Sequence, residues 1–287
     1  MRPATILVPA LFVVLWSTGF VGAKFGLPYA EPMTFLGLRF TLAAIALALV
    51  ALALGEWRKV RDAKGAALIG VFIHGVYLGG VFYAIFLGLG AAMAALVVSL
   101  QPVMTAILAR TMLGERLIAI QWIGVALGVA GVALAVWRKL GDGEISAASL
   151  SLCVAGLAAI SYATILQKRR GVTALAADGA MQFAAAAAFC AILAIALETN
   201  EIRWTTEFFL ALGWMVFVLS LGAMTLLYLM LRRGEASRIA SLFFLVPAVT
   251  ALMAWAMFGE LFGAFEIAGL VVAGLGVALV TQAPRAS

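Results

Sequence analysis

A chain of 287 residues that is 66% hydrophobic and 11% charged does not match a soluble core, because its apolar runs reach about 20 residues, the length a helix needs to cross a bilayer. The formal charge of +6 raises the possibility of a nucleic-acid partner. Its Lys and Arg residues, however, sit in short connectors between apolar runs and form no patch with interleaved aromatics, so no nucleic acid is expected. The two cysteines, Cys153 and Cys190, lie inside apolar runs without CxxC spacing and read as packing residues.

Breaking the chain at charged and turn-forming residues predicts ten spans, near 4–23, 33–54, 66–88, 91–113, 118–137, 147–167, 178–198, 208–230, 236–258 and 263–282. The first has Arg2 before it and no small-residue cleavage site, so it is expected to be retained as a span. The third and fourth are separated only by the glycines of "LGLGAAMAAL". No connector is long enough for a soluble domain. The expected fold class is therefore an all-α polytopic membrane protein.

Alternate connectors carry unequal positive charge. The side holding the N-terminus collects 14 Lys and Arg, including Arg58, Arg61, Arg110, Lys168, Arg170, Arg233, Arg238 and Arg285, against 4 on the other side, namely Lys24, Arg138, Lys139 and Arg203. That bias predicts both termini in the cytoplasm and an even number of crossings.

The segment "QPVMTAILARTMLGE" at 101–115 returns as "VPAVTALMAWAMFGE" at 246–260. Aligned without a gap, 91–134 and 236–279 are identical at 16 of 44 positions, too many for shared hydrophobicity alone. The two copies are five spans apart, an odd number, so the second is expected to cross the membrane in the opposite sense. This predicts two five-helix repeats, 1–140 and 145–284, as a 5+5 inverted-topology repeat around a central cavity, an architecture of many secondary transporters.

The ten spans, the inverted repeat and the twin proline–Gly-Glu segments resemble the drug/metabolite transporter superfamily, EamA type, along nearly the whole chain. The resemblance implies a cavity lined mainly by spans 1, 3, 4, 6, 8 and 9, with spans 5 and 10 outside it. It also implies export of neutral amino acids.

Side chains suggest where a solute would sit. Pro102 and Pro247 each remove a backbone donor and leave a carbonyl, at Val98 and Phe243, needing a partner or a wet cavity, so both are candidate hinges. Gln101 is a mid-span amide that must find a partner. Trp16 and Phe20 share a helix face with Ser17 beside them, His74 pairs with Tyr77 on span 3, and span 6 offers Ser161 and Tyr162. Ser99 and Phe244, beside the proline segments, complete the expected substrate-binding set, while Tyr83 and Tyr228 are weaker candidates. Such aromatic walls with a few hydroxyls suit an amphipathic solute.

Charges inside the spans are scarce. Arg39 is expected to snorkel or to pair with Glu31, or else to attract a carboxylate. No Asp or Glu lies deep in a span, which favours a facilitator over a proton-coupled exchanger. His74 is the one candidate proton carrier. Glu115 and Glu260 are expected to cap the helices that follow them. Gly124, Gly128 and Gly131 and their partners Gly269, Ala273 and Gly276 form close-packing faces that would serve the fold or a homodimer equally well. One His and two separated Cys supply no metal site or catalytic triad, so no metal, no cofactor and no enzyme are expected. The expected partners are a small-molecule substrate and the lipid bilayer. A proton-coupled exporter of another metabolite or drug is the alternative.

Overall fold

The computed structural model describes residues 4–171, 174–232 and 243–282. The first part of the span expected at 236–258, with Arg2, Arg233, Arg238, Arg285 and the Tyr228 side chain, lies outside the described residues. Among the described residues the chain is helical apart from one isolated bridge between Ala30 and Ile202. Among the described residues, nine helices are long and apolar enough to cross a membrane, and a tenth apolar helix covers Leu245–Phe258.

In chain order these are α1 (Ala4–Gly26), α2 (Pro32–Ala53), a third span made of α3 (Ala63–Gly70), a π-helical stretch (Val71–Val76) and α4 (Tyr77–Phe86), and a fourth made of α5 (Ala91–Val98) and α6 (Gln101–Leu113). Then follow α7 (Ala119–Gly141), α8 (Ala147–Arg170), α9 (Leu175–Leu197), an eighth span of α10 (Thr206–Gly213), a π-helical stretch (Trp214–Ala223) and α11 (Met224–Arg232), then α12 (Leu245–Phe258) and α13 (Ala264–Gln282). The ends follow local chemistry. Pro32 starts α2, where a missing N–H costs nothing, and the side chains of Ser146 and Thr205 cap α8 and α10. Gly88, Gly114 and Gly259 take positive φ, which glycine adopts without a steric penalty, and they end α4, α6 and α12.

The two prolines do more than kink a helix. α5 stops at Val98, and α6 starts again at Gln101 with Pro102 in its first turn; Pro247 likewise lies in the first turn of α12. A proline in a first turn forfeits no helical hydrogen bond, so each break is cheap where a mid-helix proline would not be.

Two pairs of helices that lie five spans apart in the chain pack together. α2 lies on α9 and α7 on α13, with the second pair at the periphery against α6. The glycine faces are used within the chain. A Cβ on Gly124 would stand 2.6 Å from the Gly276 carbonyl oxygen, and one on Gly131 would collide with the Ala273 backbone, so these residues let α7 and α13 approach closely.

Opposite-charge and cap contacts tie the ends of the bundle. On the face opposite the N-terminus, the Glu198 carboxylate accepts from the Met33 and Thr34 N–H groups at 2.7 and 2.8 Å, capping α2. On the N-terminal face the Glu56 carboxylate accepts from the Ala176 and Ala177 N–H groups at 2.7 and 3.3 Å, capping α9. Each helix is thus capped by the glutamate just beyond the end of its antiparallel mate.

Glu115 and Glu260 depart from expectation, since neither caps its own following helix. Glu260 pairs with Lys24 at 2.6 Å and accepts from Ala91 N–H at 3.3 Å, at the start of α5, while Glu115 pairs with Lys168 at 2.8 Å. The left-handed glycine before each glutamate turns the carboxylate toward a helix of the other half. The start of α7 is served instead by Gln121, whose Oε1 accepts from Ile118 N–H at 3.1 Å. On the same face as Lys24, the exposed Glu144 carboxyl is held below its usual range by its hydrogen bond to Lys139.

Candidate transport cavity

A cavity of about 240 Å³ lies between the halves. Its walls are mostly apolar and aromatic: Trp16 and Phe20 from α1, Tyr77 from α4, Phe183 from α9, and Phe243. Trp16 meets Phe243 edge to face with ring centroids 5.3 Å apart. His74 stacks on Phe183 at 4.1 Å.

Two local distortions supply polar groups. His74 belongs to the π-helical stretch of the third span and Ser220 to the matching stretch of the eighth; the wide turn is visible in the 3.1 Å bond from Ser220 Oγ to the Met215 carbonyl five residues back. Such π-turns are frequent at functional sites because they rotate one side chain out of helical register. Ser220 Oγ in turn accepts from Arg39 Nε at 3.1 Å. On the other wall Gln101 Nε2 donates to Thr164 Oγ1 at 3.2 Å.

Two smaller pockets share lining residues with the cavity. A chamber of about 40 Å³ shares Trp16, Phe20, Tyr77 and Gln101 with it and reaches Ser99, Pro102 and Pro247 at the helix breaks. A pocket of about 170 Å³ shares His74, Phe183, Ser220 and Met224 and runs to Glu56 and Ala176 on the N-terminal face. The pocket on the opposite face, about 200 Å³ and lined by Lys24, Lys139, Glu144 and Glu260, shares no described lining residue with the central cavity. The Lys24–Glu260 pair and the Phe25–Phe258 ring contact at 4.9 Å stand at that end. Among the described residues, the cavity thus shares lining with the pocket that reaches the N-terminal face and not with the one on the opposite face.

Of the residues singled out in the sequence, Trp16, Phe20, His74, Tyr77 and Gln101 line the central cavity, and Ser99 lines the small chamber. Ser17 and Ser161 are fully buried behind the wall: Ser17 Oγ donates to the Val246 carbonyl at 3.3 Å and Ser161 Oγ to the Leu157 and Gln101 carbonyls at 2.8 and 3.4 Å. Tyr162 packs edge to face on Phe72, and Phe244 packs in the core while its neighbour Phe243 lines the cavity, a one-residue shift around the helix break. Tyr83 points at the opposite face, donating to Glu198 at 2.7 Å.

Arg39 neither snorkels nor meets Glu31. It is 6% exposed and lines the cavity, whereas Glu31 accepts from the Thr199 N–H and hydroxyl at 2.7 and 2.6 Å. Phe183, Thr164 and Ser220 were not singled out in the sequence, since no periodic signal separates them from other helix residues. The walls also draw on α2 and α9, beyond the six spans the resemblance implied.

Among the described residues, ten apolar helices around a mostly apolar cavity define a polytopic membrane protein. The EamA-like transporter family matches residues 4–137 and again 145–282, and the chain belongs to that family. It is 26% identical over 305 residues to the uncharacterized transporter YvbV of Bacillus subtilis, covering 99% of this chain and 94% of that protein. It is 27% identical to the uncharacterized inner membrane transporter YedA of Escherichia coli, covering 95% of this chain and 88% of that protein. It is also 27% identical to a probable amino-acid metabolite efflux pump of Salmonella typhimurium, covering 92% and 91% of the two chains. A solved crystal structure covers 98% of both chains with a TM-score of 0.68 at 20% identity, a likeness of fold.

Proposed function

We propose that this transporter exports small amphipathic metabolites, neutral and aromatic amino acids foremost, across the bacterial inner membrane by alternating access and as a facilitator. The observation that carries the proposal is the aromatic-walled cavity between the halves, with Gln101, His74 and Arg39 as its isolated polar groups. Relatives named as an inner membrane transporter and as an amino-acid metabolite efflux pump support the location and the solute class. The 14 to 4 division of positive charge supports cytoplasmic termini and, with the lining shared toward the N-terminal face, an inward-facing reading of this state. Trp16, Phe20, His74, Tyr77 and Gln101 would touch the solute, with Ser17, Ser161 and Ser99 holding the backbone around it. The repeats 1–140 and 145–284 would rock about the breaks at Pro102 and Pro247. No Asp or Glu stands among the described residues lining the cavity, which supports movement without a proton acceptor.

The test is counterflow of labelled phenylalanine in proteoliposomes with no pH gradient or membrane potential. Phenylalanine should accumulate transiently against unlabelled solute. Strict dependence on an imposed proton gradient, lost in His74→Ala, would replace the facilitator with a proton-coupled exporter.

A further inference from the structure

A buried cation in a membrane protein is expensive, and such residues pair with an anion or mark the path of a charged solute. Arg39 lies in the second span, 94% removed from solvent by its 6% exposure, and no carboxylate among the described residues pairs with it. Among the described residues, its one hydrogen bond runs from Nε to a neutral hydroxyl, Ser220 Oγ, at 3.1 Å; the guanidinium carbon lies 5.6 Å from the Phe40 ring centroid. The two terminal nitrogens, a pair that can grip a carboxylate end-on, hold no partner among the described residues, and the residue lines the central cavity. The one acidic residue expected beside it, Glu31, is spent on Thr199 at the end of the bundle.

The same cavity offers a positively charged group far less. Its described lining holds no Asp or Glu, so an ammonium would meet only neutral acceptors such as the Gln101 amide oxygen and the Tyr77 hydroxyl. The two ends of an amino acid are thus unequally provided for: the carboxylate has a desolvated full charge awaiting it, and the amine has dipoles. Aromatic walls take the apolar remainder.

We propose that Arg39 is the carboxylate-binding residue of the transport cavity and that the transporter selects amphipathic monocarboxylates, amino acids being the members of that class that also carry an amine. This rests on the central cavity being the transport site. It also implies that a deaminated acid is recognised as well as its parent amino acid, which the proposal of amino-acid export does not require.

The experiment uses the purified full chain and three probes that share one ring, phenylalanine, phenylpropionate and phenethylamine, with binding read from thermal shift and transport from counterflow. Wild type should bind and carry phenylalanine and phenylpropionate and ignore phenethylamine. Arg39→Gln should weaken both acids by roughly 10- to 100-fold, the value of a hydrogen bond to a charged group, and Arg39→Lys should recover part of that loss. Phenethylamine binding as tightly as phenylpropionate, or unchanged acid affinity in folded Arg39→Gln, would overturn the assignment and leave amino-acid export standing. Binding of phenylpropionate without phenylalanine would keep Arg39 and remove amino-acid export, while silence of wild type toward all three would remove both. Should Arg39→Gln not fold, the acid-against-amine comparison in wild type decides alone.

Discussion

α6 and α12 are two copies of one segment, with the same proline in the first turn, Thr105 answering Thr250, and Gly-Glu at the end. Their backbones are held alike: Ser161 Oγ reaches the Gln101 carbonyl at 3.4 Å, and Ser17 Oγ reaches the Val246 carbonyl at 3.3 Å, each from a helix of the other half. Even their defects match, since the Thr105 and Thr250 hydroxyls are the two buried side-chain polar atoms without a partner among the described residues. What differs is the side chain before the proline. Gln101 turns an amide into the cavity wall, where Val246 has nothing to offer a polar solute. α2 and α9 repeat the lesson: their N-termini carry matched glutamate caps, yet six residues beyond Met33 stands Arg39, while six beyond Ala176 stands Gln182, bonded to Gln167 at 3.2 Å. Features kept by both copies hold the backbone, whereas Gln101 and Arg39, each present in one copy, line the cavity.

The largest effect should come from breaking a mechanical match. Gly131→Leu or Gly276→Leu would drive a side chain into the backbone of the facing helix, so both should lose folded protein in detergent gel filtration. Overpacking alone costs about 1–3 kcal/mol where neighbours can move, and backbone cannot. Gly141→Leu, with open space at its Cβ, is the control and should behave as wild type.

The caps should cost less and cost alike. Glu56→Gln and Glu198→Gln each remove the charge from a helix N-terminus, and the loss should be about 0.5–2 kcal/mol, read as matched drops in Tm. A variant with no drop on one side only would show that the two caps are not equivalent.

Function-specific variants should separate the copies. Gln101→Leu should raise the phenylalanine concentration for half-maximal transport by roughly 2- to 12-fold, the worth of an ordinary hydrogen bond, whereas Val246→Leu should leave it unchanged. Pro102→Ala and Pro247→Ala should instead fold and slow transport to similar extents, because each restores a donor at a break that the rocking motion is proposed to use. Unequal rates between the two proline variants would confine the hinge to one half.

The smallest changes are expected from Ser17→Ala and Ser161→Ala. The bonds between the halves are long, at 3.3 and 3.4 Å, so each variant should lose at most about 1 kcal/mol of stability, checked by thermal unfolding in detergent. A large loss from one alone would mean that the halves lean on each other unevenly.

Most of the helix pattern was legible in the sequence because lipid allows so little else: each apolar run must satisfy its own backbone, and glycine or charge must sit between runs. The weak break between the third and fourth spans is present, at Gly88. The duplicated proline segment, the repeat it announces and five of the cavity residues, Trp16, Phe20, His74, Tyr77 and Gln101, follow from type and spacing. Period and composition could not separate Phe243 from Phe244, since two adjacent residues of one type carry no signal for which lines the cavity, nor could they separate a serine that lines a wall from one that braces it.

Crossing number, repeat and the scarcity of charge were thus determined by the chain itself, since they depend on residue type and count. The fate of each charge was decided only by tertiary structure. Glu31, Glu115 and Glu260 each passed over the partner nearest in sequence for one across the bundle, because antiparallel packing brought a free N–H or cation closer. Arg39 was left facing the cavity for the same reason: the π-helical stretch of the eighth span set a neutral Ser220 beside it, and every described carboxylate lay at an end of the bundle.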